Sequence, residues 1–331
     1  MKVLITDHPW PDVEIERSIC QAAGHELVAG PIEALQESEI DAFIAREQPQ
    51  AIMCCWASVS DRAIRSVSDL RIVGRLGVGL DNIAIVAATE RGAWVTNVPD
   101  YCVEEVSDHA VGMLLAHWRG LVHFDRESKR GQWNPASARL VRTKNMTVGV
   151  IGFGRIGRAT AAKLAGGFDT RVLAYSPTLL RDYVEGFEVS SGVFAASMGS
   201  IQRNADAIIL HLPLSPSTHH MIDDAFISAC QRKPFLINVS RGGLVHNDAL
   251  IRGLDAGSLS GAALDVVEGE PSPPAAVIGR ADVIVTPHIA FTSDAALREV
   301  RERCTQDVVR VLRGESPLHP CNVLSRLEES T

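Results

Sequence analysis

Ten residues restrict this chain more than any others: Val148-Gly149-Val150-Ile151-Gly152-Phe153-Gly154-Arg155-Ile156-Gly157. An apolar, β-type run enters the segment. Three glycines follow at G-x-G-x-x-G spacing, and Arg158, Ala159, Ala162, Lys163 and Leu164 leave it with helical periodicity. Each glycine has a mechanical reason. Gly152 permits a tight strand-to-helix turn, Gly154 lets a pyrophosphate approach the backbone, and Gly157 lets helix and strand pack closely. The helix N-terminus then offers free N–H groups and the positive end of its dipole to the phosphates. Glycine triplets also occur in ordinary turns, so the flanking strand and helix are what turn this spacing into a dinucleotide-binding expectation. Its contacts fall on Gly152, Phe153, Gly154, Arg155, Ile156 and Gly157.

The rest of the chain repeats the same alternation. Before the fingerprint, strands are expected at 3–6, 26–29, 51–56, 71–76 and 94–98. Helices are expected at 13–23 and 39–46, and a further one is capped by Asp61. After it, strands are expected at 171–175, 207–210, 235–239, 261–264 and 283–286, with a final helix over 294–312. Alternating β and α units imply parallel sheets with helices on both faces, an α/β chain with two doubly wound domains. Between the two series, 103–118 has helical spacing, and 119–144 is polar and irregular around Trp133 and Pro135. A long excursion of this kind inside a compact domain suggests an arm that reaches a partner subunit.

Ligands of open α/β sheets bind beyond the carboxyl ends of the strands. Three polar residues stand at such ends: Arg241 after 235–239, Glu270 after 261–264 and His288 after 283–286. They converge only if those strands run parallel. An arginine can hold a carboxylate through two hydrogen bonds. A histidine exchanges protons near neutrality, and a neighbouring carboxylate orients its ring. The set suits a hydroxy or keto acid, although each residue alone reads as an ordinary loop residue. The turn Gly77-Val78-Gly79-Leu80-Asp81-Asn82 could expose backbone N–H groups to a small anion, and alone reads as structural.

Taken together, the motifs resemble the D-isomer-specific 2-hydroxyacid dehydrogenases, which include phosphoglycerate dehydrogenases, glyoxylate/hydroxypyruvate reductases and C-terminal binding proteins. The resemblance is carried by 77–82, the fingerprint, Asn238-Val239-Ser240-Arg241-Gly242-Gly243, Ala263-Leu264-Asp265-Val266 with Glu268 and Glu270-Pro271, and Thr286-Pro287-His288-Ile289-Ala290. It implies a Rossmann domain at 99–289 inserted into a flavodoxin-like substrate domain at 1–98 plus 290–331, and a homodimer formed through a helix and arm at 102–145. It implies Arg241, Glu270 and His288 as the catalytic set, with His288 as proton donor in reduction. It also implies substrate carboxylate contacts from the backbone of Val78 and Gly79, and cofactor contacts from Asn238, Val239, Ser240 and Asp265. His211, Leu212, Pro213 and Thr218 would line the adenosine and phosphate side. Tyr101 and Phe291 flank the implied pocket. The expected function is interconversion of a D-2-hydroxy acid and its 2-keto acid with NAD, or with NADP. The alternatives are a dinucleotide-sensing corepressor-like protein and a phosphonate or phosphite dehydrogenase on the same scaffold.

Cofactor choice turns on Ser176. The acidic residue that holds a ribose 2′-OH and repels a 2′-phosphate stands roughly 20 residues after the fingerprint, at the end of the next strand. Here Tyr175 is followed by Ser176, and the next arginine is Arg181. Rejection of the phosphate is lost without a clear replacement to bind it, so both NAD and NADP are expected, NAD first.

Composition excludes several other classes. Apolar residues make up 46% and charged residues 22% of 331, which suits globular domains, and a net charge of −8 without a basic block argues against nucleic acid. No apolar stretch of about 18 residues suggests a membrane span, and no leader-like segment opens the chain, so a cytoplasmic protein is expected. Seven cysteines without a C-x-x-C pattern read as reduced thiols, with no metal. His219 and His220 are expected to point apart, and His109 to be a packed histidine.

Overall fold

The computed structural model describes residues 1–33 and 35–324. The chain forms two compact units, Met1–Tyr101 with Ser293–Thr331, and Cys102–Thr292. The crossings lie three residues beyond the expected boundaries at 98 and 289.

The first unit is a five-stranded parallel sheet of β1 (Lys2–Ile5), β2 (Glu26–Ala29), β3 (Ala51–Cys54), β4 (Ile72–Arg75) and β5 (Trp94–Thr96). Their order is β2-β1-β3-β4-β5. β3 and β4 are buried along their whole length, as central strands between two helical layers must be, even where β4 ends in Arg75. Four of the five end one or two residues short of the expected ends, where the residues beyond take other partners. The Asp7 carboxylate, for example, accepts the backbone N–H of Cys55 at 3.1 Å and of Trp56 at 2.6 Å. Ser60, not Asp61, caps the helix Asp61–Ser66, its hydroxyl accepting from Ala63 N at 3.0 Å. The final helix, Asp294–Leu312, packs on β3 and β4. A Cβ on Gly74 of β4 would lie 2.9 Å from the Cys304 sulfur, so this contact needs glycine. Arg301 of that helix is paired with buried Glu16 at 2.7 and 2.8 Å, which ties it to the helix Glu14–Ala22.

The second unit holds an eight-stranded sheet: β6 (Thr147–Ile151), β7 (Arg171–Tyr175), β8 (Glu188–Ser190), β9 (Val193–Ala195), β10 (Ala207–Leu210), β11 (Phe235–Asn238), β12 (Gly261–Leu264) and β13 (Val283–Val285). The order is β13-β12-β11-β10-β6-β7-β9-β8, parallel except for the β8–β9 pair. The topological switch point lies between β6 and β10. The β8–β9 hairpin has no sequence expectation, since its strands have three residues each and too few positions to show a period. Helix Val103–Trp118 packs on helix Arg155–Phe168, and Lys163 bonds Asp108 and Ser107 at 2.7 Å each. The stretch expected to be irregular contains a helix, Leu121–Lys129. None of its residues is buried, so the apolar periodicity that marks a core-facing helix is absent.

Candidate active site

The fingerprint forms a cradle at the switch point. Gly152 has φ +100°, and a Cβ there would collide with the carbonyl of His211. A Cβ on Gly157 would collide with the carbonyl of Gly152, whereas one on Gly154 would meet nothing within 4 Å. The first and third glycines are therefore steric necessities, and the second stands beside open space where a ligand can approach. Gly154 is the N-cap of the 14-residue helix Arg155–Phe168, whose first N–H groups face that space. Phe153 lies 5.7 Å beneath the Arg158 guanidinium. A parallel sheet with this cradle at its switch point defines an α/β dinucleotide-binding protein.

The other expected cofactor residues are mostly loop builders. Ser176 is the N-cap of helix Pro177–Asp182, its Oγ accepting from Leu179 N at 3.1 Å. The His211 ring turns inward onto Thr160 Oγ1 at 2.9 Å, and burial pushes its pKa down to about 3. Thr218 closes the loop after Leu212 and Pro213 by donating to Pro213 O at 2.8 Å and accepting from Ser215 N at 2.8 Å. After β11, Val239 is buried, Asn238 Nδ2 holds Arg241 O at 2.8 Å, and the Ser240 hydroxyl donates to Leu210 O at 2.6 Å. These bonds shape the turn that carries Arg241, whose guanidinium donates to Ser240 O at 2.8 Å.

β11, β12 and β13 are adjacent and parallel, so Arg241, Glu270 and His288 do lie beyond one edge of one sheet. His288 Nδ1 stands 3.2 and 3.3 Å from the two oxygens of Glu270. With a proton on Nδ1, this forked bond fixes the ring plane. His288 has φ +55°, a left-handed turn held by its N–H to Asp265 O at 2.8 Å. Phe291 meets the His288 ring edge-on at 6.1 Å. Asp265 is 2% exposed, and its side chain binds the backbone of the His288 loop at Ile289 N and Ala290 N, both at 2.9 Å.

Val78 and Gly79 belong to the first unit and are partly exposed. Asn97 Nδ2 donates to Val78 O at 2.6 Å and holds their turn. No local pattern marks Arg75, whose guanidinium lies beside Gly77 of the same turn. This arginine is 7% exposed, donates to Leu76 O at 2.9 Å, and its Nε has no hydrogen-bond partner among the described residues. A Cβ on Gly77 would lie 2.9 Å from the guanidinium, so the glycine makes room for a buried positive charge under the turn. Tyr101 is also buried, in the same unit.

His219 and His220 do not point apart. Their rings stack at 3.8 Å, and their Nε2 atoms lie 3.6 and 2.8 Å from Glu268 Oε1. The reason is the backbone of His220, at φ +52°, which turns successive side chains to the same side. The Glu268 oxygen is satisfied by the His220 bond, and His219 is half-exposed. All seven cysteines are free thiols, and burial pushes Cys54 and Cys55 up to about 12. No helix among the described residues is long and apolar enough to cross a membrane.

Residues 111–290 match the family description "D-isomer specific 2-hydroxyacid dehydrogenase, NAD binding domain". The chain is 31% identical over 315 residues to a glyoxylate reductase of Thermofilum pendens, covering 93% of this chain and 90% of that one. It is 32% identical to a D-3-phosphoglycerate dehydrogenase of Methanocaldococcus jannaschii, over 95% of this chain but only 58% of that longer protein. Among solved structures it is similar to the D-lactate dehydrogenase of Aquifex aeolicus complexed with NAD and lactic acid. That likeness has a TM-score of 0.81 and 25% identity, covering 95% of this chain and 96% of that one. The chain belongs to the D-isomer-specific 2-hydroxyacid dehydrogenase family, and is an NAD(P)-dependent oxidoreductase of D-2-hydroxy acids and their 2-keto acids.

Proposed function

We propose that this enzyme reduces a small, unphosphorylated 2-keto acid, with Arg241, Glu270 and His288 as its catalytic set. The observation that carries the assignment is the forked His288–Glu270 bond two strands from Arg241 in a parallel sheet. The size of the acid is supported by near-complete coverage of a glyoxylate reductase, against little more than half of a phosphoglycerate dehydrogenase.

The open backbone at Gly154 and the helix behind it would hold the dinucleotide pyrophosphate, with Ser176 at the ribose. When bound, the nicotinamide supplies the hydride. Arg241 binds the substrate carboxylate through its planar fork and draws charge from the neighbouring carbonyl. His288 gives the proton on Nε2 to the carbonyl oxygen as that oxygen becomes a hydroxyl, while Glu270 holds the ring and offsets its charge. In the first unit, the backbone turn at Val78 and Gly79 is suited to an anion such as a carboxylate, which buried Arg75 favours there. Phe291, edge-on to the His288 ring, limits the size of the acid, and buried Tyr101 is the substrate candidate of the first unit. NAD(H) is used first, and NADP(H) is accepted because Ser176 carries no charge to repel its phosphate.

A homodimer through helix Val103–Trp118 and the following arm is supported by a helix with no buried residue and by Trp133, 86% exposed. A cytoplasmic setting is supported by the seven free thiols. The test is turnover of glyoxylate, hydroxypyruvate, phosphohydroxypyruvate and larger 2-keto acids with NADH and NADPH, and of phosphonates with NAD+ and NADP+. Reduction of the small acids is expected. Absence of turnover with every keto acid would refute the enzyme reading and favour the dinucleotide-sensing alternative, and light scattering in solution decides the dimer.

A further inference from the structure

The buried carboxylate of Asp265 has a hydrogen-bond partner that neither the catalytic set nor the cofactor cradle accounts for. Its Oδ1 accepts from the Thr286 hydroxyl at 2.6 Å as well as from Ile289 N. With its proton committed to Asp265, that hydroxyl can only accept from its other neighbour, His109 Nε2, at 3.0 Å. The same nitrogen lies 3.6 Å from Asp265 Oδ1. His109 therefore carries a proton on Nε2 and stands at the outer end of a chain of donors, His109 to Thr286 to Asp265. Asp265 in turn grips the backbone on the far side of His288, at Ile289 and Ala290, and its own carbonyl takes the His288 N–H. The left-handed turn at His288 is unfavourable for a residue with a Cβ and persists only where its surroundings fix it. The carboxylate that fixes it is itself fixed by Thr286 and His109.

We propose that His109, on helix Val103–Trp118, is a positioning residue that holds the proton-donating His288 in place through Thr286 and Asp265. This rests on the assignment of His288 as the proton donor. Its effect falls on the chemical step rather than on dinucleotide binding, because both oxygens of Asp265 are engaged by Thr286 and the backbone of the His288 loop and none of these contacts reaches the fingerprint cradle.

The experiment compares His109→Ala, His109→Gln, Thr286→Val and the double variant His109→Ala/Thr286→Val as full-length protein. Glutamine can place an N–H donor where the histidine Nε2 stands. In His109→Ala, kcat is expected to fall about tenfold or more, with KM for the keto acid and Kd for NADH within about threefold. His109→Gln should recover most of kcat. The double variant should be no slower than the worse single variant, because the two side chains act in series. His288 ring signals, followed by NMR, should shift in His109→Ala and stay near wild type in His109→Gln. Unchanged kcat in His109→Ala, equal loss in Ala and Gln variants at matched thermal stability, or additive losses in the double variant would each overturn the inference. Absence of wild-type turnover would instead count against the proposed function, and the NMR comparison then decides the positioning role on its own.

Discussion

Acid should loosen the dinucleotide cradle before it unfolds the rest of the protein, and His211 is the reason. Its ring is buried against Thr160, on the fingerprint helix, and its carbonyl lies where a Cβ on Gly152 would collide. Burial lowers the pKa from 6.5 to about 3. The folded-state pKa is depressed, so the unfolded chain binds the extra proton between pH 6.5 and 3. Stability is complete above about pH 6.5 and is lost as pH falls through that window. At pH 5, one and a half pH units below the unfolded value, the loss is about 2 kcal/mol at 1.36 kcal/mol per unit. That is a substantial part of the 5–15 kcal/mol that holds a typical domain together. His117, stacked on Phe235 at 3.7 Å, shifts in the same direction, to about 4, and steepens the same limb. The assay is urea denaturation at intervals from pH 7.5 to 4.5, with NADH affinity measured in parallel by nicotinamide fluorescence. His211→Gln keeps a polar group for Thr160 but does not titrate, so its acid slope should be shallower by about 2 kcal/mol between pH 7 and 5. An identical slope in wild type and His211→Gln would refute the reasoning.

Three further outcomes concern the site itself. Arg241→Lys keeps the charge but loses the planar fork, so kcat/KM should fall roughly 10²-fold, about 3 kcal/mol of transition-state stabilisation. Near-wild-type kinetics would remove Arg241 from the substrate. His288→Ala should lower kcat by about 10²–10⁴-fold with NADH affinity kept, and Glu270→Gln, which preserves a hydrogen-bond acceptor but not the charge, should fall between it and wild type. Stopped-flow reduction of glyoxylate measures both, and full activity in either variant contradicts the pairing. Ser176→Asp should raise KM for NADPH by roughly tenfold more than for NADH, as a carboxylate repels the 2′-phosphate. Aspartate is as good an N-cap as serine, so the melting temperature should hold, and an unmoved cofactor ratio would show that discrimination lies elsewhere.

What could be read in the sequence was what is local. The fingerprint, the strands β2, β7, β10 and β12, and the helices Val103–Trp118 and Asp294–Leu312 follow from periodicities and breakers within a dozen or so neighbours. The same reading placed Arg241, Glu270 and His288 at strand ends, because polarity returns where an apolar strand stops. It failed for β8 and β9, too short to show a period, and for helix Leu121–Lys129, which has no buried face to mark it.

The tertiary structure decided what depends on distance through space. Nothing local links His109 to Thr286, 177 residues away, or shows that Asp265 turns its carboxylate onto the loop of His288. The inward ring of His211, the stacked His219 and His220, and the buried charge of Arg75 depend likewise on backbone angles and on neighbours from other strands. A side chain's chemistry is fixed by its type, but its partner is fixed by packing. Local residue order sets which groups stand at the edge of the sheet, and packing sets which of them hold one another in place.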